Sequence, residues 1–292
     1  MNYTLTSKGY SATVSSCGAE LKSFKTSEGK EYIWQADPAF WNRSSPLLFP
    51  TIGNVRNDKT IFNKRIYTLE KHGFVRDMEF ENAEQTEDSL LLRVKSTPET
   101  MAVYPFPFIL ELRYVLQENR LNMTYTVMND GDARLPFQLG AHPGFNCPLF
   151  SGESLTDYRL VFEKSEPLVT TVYDLEHLCF SSEKKTDFGE TDHIDLEASL
   201  FDNDALFFRG LSGRSISLMQ KSGEHGVKLD YPGFKTIAIW TPSGGKAPFV
   251  CLEPWNGCAI FDKDTDEFTN NTDVMGVAPY QESEFELTIT VF

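Results

Sequence analysis

Residues 109–132 read ILELRYVLQENRLNMTYTVMNDGD. Apolar and polar side chains alternate through Ile109–Gln117 and again through Arg120–Asn129, the mark of strands with one buried face. The polar QENR between the two runs is a turn, and NDGD closes the second. The stretch therefore predicts a pair of antiparallel strands. The same alternation recurs in YSATVSS (10–16), RIYTLEK (65–71), SLLLRVKS (89–96), SISLMQK (215–221), TIAIWTP (236–242) and FELTITVF (285–292). Turn sequences such as SEGKE, QTED, KSGEHG and YPGF separate these runs. No long window keeps a helical stripe. PETMAVYPFPF (98–108) can hold one helical turn before its prolines end it. The expectation is an all-β chain, a large antiparallel β-sandwich made of hairpins and packed as two sheets.

Composition agrees. Aromatic residues make up 13% of the 292 residues, with 23 Phe, 11 Tyr and 4 Trp, and aromatic side chains pack well on a pleated surface. Neither an internal repeat nor a low-complexity linker interrupts the chain, so residues 1–292 are expected to form a single domain. The polar SSEKKTDFGETD (181–192) is expected to be an exposed loop.

The net charge of −15 opposes a phosphate backbone and an anionic lipid surface, which disfavours nucleic-acid and membrane partners. No apolar run approaches the ~18 residues of a membrane span. The start, MNYTLTSKGYSATV, has no signal-like apolar core. Five cysteines, 17, 147, 179, 251 and 258, are irregularly spaced and include no CxxC. They read as reduced thiols, and the expected location is the cytoplasm.

Three titratable residues stand in unusual settings: His72 in KHGFVRD, His142 in GAHPGFN and Glu253 in CLEPWNG. His142 and Glu253 each precede proline, which pushes a residue toward extended geometry. A proton donor and acceptor held in this way suit acid–base catalysis. For His142 an ordinary turn histidine fits as well as a positioned one, and His72 alone reads most simply as a half-buried histidine. Glu253 ends the apolar run FVCL, where a carboxyl seldom sits without a partner. Trp255 offers either core packing or a flat face for a sugar ring. Arg56, after the PLLFP run and the TIGN turn, is either a donor to a ligand or a surface ion pair. Asp204 precedes the strand-like ALFF and competes with Asp202 for a ligand role. GxGxxG, GxxxxGK[ST] and GxSxG are all missing, and the histidines lack zinc-motif spacing, so no metal is expected.

In order along the chain, FPTIGNVR with Arg56, HGFVR with His72 and Arg76, HPGF with His142 and LEPWNG with Glu253 resemble the motifs of the aldose 1-epimerase family, the galactose mutarotases. The chain is most similar to the shorter bacterial mutarotase-like members, some encoded in lactose operons. It departs from better-known members in the PGF after His142 and in lacking a sharp motif for the sugar-binding aspartate, placed at Asp204 by position. The resemblance implies a β-supersandwich and interconversion of the α and β anomers of a free hexose, with no cofactor, metal or covalent intermediate. It implies Glu253 as the base at O1 and His142 as the acid at the ring oxygen, facing each other across a hexose-sized hollow. Glu253 is expected ionised near Arg56, and His142 protonated. His72 and Arg56 would bind sugar oxygens, and Asp204 would accept from hydroxyls. Alternatives are a hexose-6-phosphate mutarotase using Arg43, Arg56, Arg76 and Arg209, a non-catalytic carbohydrate sensor, and, last, a glycoside hydrolase with two carboxylates.

Overall fold

A computed structural model describes residues 1–292. Twenty-two strands, one short α-helix and five 3-10 turns account for its regular structure. The stretch that opens the analysis forms a hairpin: Phe108–Gln117 pairs with Arg120–Asn129, with Gln117 opposite Arg120. Glu118 in its turn takes a left-handed φ of 55°. Along Phe108–Gln117, buried and half-buried positions alternate strictly, as the sequence pattern requires.

Fifteen strands share one antiparallel ladder. From one edge it passes through Leu47–Leu48, Leu139–Ala141, Phe249–Asn256, Thr236–Trp240, Leu206–Arg209 and Tyr158–Asp174. It continues through Ser215–Gln220, Gly226–Asp230, Glu282–Val291, the opening hairpin and Ser89–Lys95 to Glu81–Gln85. The two layers of the sandwich are thus arms of one continuous ladder rather than separate sheets. A 61-residue apolar cluster takes side chains from both arms. Asn2–Ser7, Tyr10–Ser15 and Leu21–Lys25 form a separate three-stranded sheet. No helix is long and apolar enough to cross a membrane.

Two local expectations have different outcomes. Pro98–Val103 is the single helical turn, with Thr97 and Thr100 forming reciprocal cap hydrogen bonds. Residues 181–192, expected as a loop, instead lie within the Cys179–Asp195 strand, which pairs with Tyr158–Asp174. Most of that strand is exposed. Without a buried face it shows no hydrophobic alternation, so its sequence reads as loop.

On the arm that carries the site, period-2 geometry sends alternate residues to opposite faces. Val250 and Leu252, Ile237 and Ile239, and Leu206 and Phe208 enter the main core. Ala238, Phe207, Trp255 and Leu48 face the other way and form a second cluster. Gly140 is required beneath them, because a Cβ there would lie 2.6 Å from Trp255 Cδ1. Beside this face a loop carrying Trp41 and Arg43 is anchored by the buried Glu20. Its carboxyl accepts from the amides of Ser44 at 2.6 Å and Ser45 at 2.9 Å.

Glu20→Ala leaves those two buried amides unpaired and should cost about 1.5–3 kcal/mol of stability. Urea unfolding followed by tryptophan fluorescence measures this. An unchanged midpoint would remove Glu20 as the anchor.

Candidate active site

Glu253 lies on the Phe249–Asn256 strand, on the face turned away from the main core. Residues 139–146 run antiparallel beside it as two short strands, with Gly140 opposite Trp255 and Gly144 opposite Cys251. That register sets residue 142 opposite residue 253. Pro143 cannot donate to the ladder and splits it there, while its carbonyl accepts from Leu252 N–H at 3.1 Å. The interruption leaves His142 facing its cross-strand neighbour, with Nε2 3.1 Å from Glu253 Oε2. The approach lies off the hydrogen-bond axis, so Oε2 has no aligned donor although it is buried.

The pair is enclosed. His142 is 8% exposed and Glu253 1%. Trp41 stacks on the imidazole at 4.8 Å between ring centroids, and Trp240 meets it edge-on at 5.8 Å. Burial, and secondarily the Asp204 charge, push the Glu253 carboxyl well above the ordinary range. Burial, with Lys71 and Arg76 adding to it, lowers His142 to about 3. An ionised Glu253 beside a protonated His142 was expected, but burial favours the neutral carboxyl and the neutral imidazole. The desolvation of both groups outweighs their mutual attraction, and the nearby cations oppose a charged histidine.

His72 reaches the pair from a third segment. It has a left-handed φ of 66°, and its ring lies 5.8 Å from that of His142, edge to face. Its Nδ1 accepts from Gly53 N–H at 3.0 Å, so Nε2 carries the proton and His72 is a donor to a ligand. Burial, then His142 and the cations Lys71, Arg76 and Arg43, hold its pKa well below the usual histidine value. Gly53 is positioned by Gln138, whose side-chain oxygen accepts from Ile52 N–H at 2.9 Å.

These groups open onto one cavity of about 380 Å³ lined by His72, His142, Asp204, Glu253 and Trp255 among others. Asp204 is in the lining with a left-handed φ of 70°, and Asp202 is not. Arg56 is the exception among the expected residues. It is outside the lining, pairs with Asp266 at 3.3 Å and donates to the Asp264 carbonyl at 3.0 Å. After Gly53 turns into the site, the chain enters the Arg56–Asp58 turn and carries Arg56 away. Arg43, Lys71 and Arg76 supply the positive charge instead. Arg76 stands in the HGFVR motif and Arg43 among the arginines available to a phosphate, whereas Lys71, Trp41 and Trp240 carry no distinguishing local signal. His225 is half-buried against Tyr158 and Glu153 outside the lining.

His142, Cys251 and Glu253 offer ligand atoms within 4.8 Å of one another. Burial raises the pKa of both the thiol and the carboxyl, so a cation would have to displace two protons there. Proton exchange between two placed groups fits this arrangement better.

A family model described as Aldose 1-epimerase matches residues 1–273. The chain is 34% identical over 281 residues to the chromosomal LacX protein of Lactococcus lactis subsp. lactis, covering 94% of each. It is similar to a galactose mutarotase related enzyme from Lactobacillus acidophilus, with a TM-score of 0.95 and 29% identity over 100% of this chain and 97% of the other. A galactose mutarotase-like protein from Lactobacillus casei superposes with a TM-score of 0.93 at 27% identity, with both chains fully covered.

The lowered histidines make a prediction about acid stability. Below pH 6.5 the unfolded chain protonates each imidazole, while folded His142 stays neutral down to about pH 3. Each lowered histidine should therefore contribute a loss of stability as pH drops through that window, by up to about 1.4 kcal/mol per pH unit, which the raised carboxyl of Glu253 offsets above its unfolded pKa. Urea unfolding across the window should show a shallower slope for His142→Asn than for the parent. Equal slopes would mean that His142 is protonated in the fold.

Proposed function

The chain belongs to the aldose 1-epimerase family, isomerases that act on carbohydrates, and from that premise we propose that it interconverts the α and β anomers of an aldohexose such as galactose or glucose. The observation that carries this reading is the 3.1 Å contact between His142 Nε2 and Glu253 Oε2 at the cavity wall. Ring opening removes a proton from O1 and adds one to the ring oxygen O5. Those two oxygens are bonded to the same carbon. The base and the acid that serve them must therefore both come within reach of one C1 centre, as a pair in contact at the cavity wall can.

Glu253 takes the O1 proton while His142 gives one to O5. The C1–O5 bond breaks and the C1=O1 bond forms. The aldehyde turns about C1–C2, the protons return, and the ring closes on the other face. The pair holds one proton throughout. It begins as carboxylate and imidazolium and becomes carboxylic acid and imidazole around the open chain. A sugar hydroxyl donating to Glu253 Oε2 favours the charged starting form. His72 Nε2–H donates to a sugar oxygen and stabilises developing charge. Asp204 accepts from hydroxyls, and Trp255 presents an apolar face to the ring. The five unpaired cysteines support a reducing compartment, the cytoplasm.

Polarimetry on freshly dissolved α-anomers tests the roles. Glu253→Gln and His142→Asn should each lose about 10²–10⁴-fold in rate, the range for one proton-transfer group. A Glu253→Gln protein as fast as the parent would remove it as the base, and unchanged His142→Asn would move the acid to His72. Asp204→Asn should lower kcat/KM by about ten- to a hundredfold, as expected for losing a hydrogen bond to a charged group. Asp202→Asn should not, and the reverse pattern would exchange their roles.

A further inference from the structure

Cys251 sits beside the reacting pair, yet the reaction has no use for a thiol. It lies two residues before Glu253 on one strand, so thiol and carboxyl share a face. Gly144 stands opposite it on the neighbouring segment, the same segment that brings His142 to Glu253. Gly144 leaves room on that face for Trp41, which also stacks on His142: a Cβ at 144 would lie 3.1 Å from Trp41 Cζ3. A nitrogen of His142, Sγ of Cys251 and a carboxyl oxygen of Glu253 consequently lie within 4.8 Å of one another, all in buried residues. Two polar atoms of this group, Glu253 Oε2 and His142 Nδ1, are buried without a hydrogen-bond partner. Such atoms are costly, and ligand atoms that converge from two strands can be satisfied together by one cation.

The donor set selects the ion. Thiolate, imidazole and carboxylate are the ligand types of zinc, and three protein ligands with a fourth position open is a common zinc arrangement. Zinc bonds of about 2.0–2.3 Å place the ligand atoms of one tetrahedral ion roughly 3.3–3.8 Å apart. His142 and Glu253, at 3.1 Å, already have that spacing, and the thiol has at most roughly 1 Å to close. Magnesium and calcium take about six or more oxygen ligands, and this group offers a single carboxyl. Charge agrees with the choice. A dication with a thiolate, a carboxylate and a neutral imidazole carries no net charge, so it escapes the penalty that burial places on an isolated ion.

This step rests on the aldose 1-epimerase reading. We propose that His142, Cys251 and Glu253 form an inhibitory site for a thiophilic divalent cation, zinc or its softer analogue cadmium. On binding, the thiol and the neutral carboxyl each release a proton to solvent, and sulfur, oxygen and imidazole nitrogen donate their lone pairs to the ion. Because two protons must leave, the ion is a reversible occupant and not a resident of the fold. While it is bound, Glu253 cannot take the O1 proton and His142 has none to give to O5. Ion and sugar compete for the same two groups, so the ion raises the apparent KM and leaves kcat unchanged. Cys251 takes no part in the uninhibited reaction; it is outside the cavity lining and packs with Trp34, Ala247 and Phe249.

Two measurements test it. Cadmium chloride is added without sugar, and the ultraviolet charge-transfer band of a thiolate–cadmium bond is recorded in the parent and in Cys17→Ser, which lacks the exposed thiol. Anomerisation is followed by polarimetry with added zinc chloride. Both proteins should show the band, lose rate to zinc in competition with sugar, and recover it with EDTA. Adding Cys251→Ser to Cys17→Ser should abolish the band. It should also raise the inhibitory zinc concentration by about a hundredfold, since even the outer partners of metal ligands are worth about 10–100-fold in affinity. Cys251→Ala should behave alike, which guards against a serine that disturbs the core. A band or an inhibition that survives both substitutions would overturn the proposal, and so would magnesium chloride inhibiting as strongly as zinc. Zinc without effect on a working epimerase would overturn the cation site alone. A band that depends on Cys251 in a protein that accelerates no sugar would overturn the epimerase reading and leave the cation site standing.

Discussion

The site depends on one cross-strand neighbour relation: His142 opposite Glu253, with their side chains 3.1 Å apart and almost wholly out of water. Strand pairing sets the spacing, and Pro143 frees His142 from the ladder without losing register. Glu253 reaches the site on a strand and His142 in a two-residue break between two short strands paired beside it, which holds both close enough for a short-range proton exchange. The cost is desolvation of a carboxyl and an imidazole, which favours the neutral form of both. The energy gap between the neutral and charged forms of the pair is then open to adjustment by whatever binds beside it.

The surroundings follow from that relation. Trp41 and Trp240 pack against His142 and exclude water from it, and Phe249 stacks behind Trp41. The third donor is held through a separate chain of contacts. Gln138 accepts from Ile52 N–H and donates to the Cys258 carbonyl at 3.0 Å, which fixes the segment carrying Gly53. Gly53 N–H in turn selects the His72 tautomer. A Cβ on Gly53 would come within 2.4 Å of Ala259 Cβ, so this close approach requires glycine.

The fold was legible wherever one strand face is buried and the other is wet. The Phe108–Gln117 strand shows this most clearly, because burial alternates along it as the residues do. Cys179–Asp195 was illegible for the opposite reason, since a strand exposed on both faces has no alternation to read. His142 and Glu253 stood out through the prolines that follow them, but their contact is a property of register, to which no local motif refers. Arg56 misled because a turn can deliver a side chain to either side, and here it delivers Gly53 inward and Arg56 to Asp264 and Asp266. Protonation was misread with it. Removing Arg56 from the site and burying the pair reverses the balance that nearness of opposite charges alone would suggest.

The central claim is that Glu253 and His142 act as one unit sharing a single proton, not as two independent catalysts. A double-mutant cycle on anomerisation rate tests it most directly, using Glu253→Gln, His142→Asn and the two combined. Residues that act as a unit are strongly non-additive, so the account expects the double variant to be no slower than the slower single one. Losses that multiply would contradict it and would assign the two groups to separate steps.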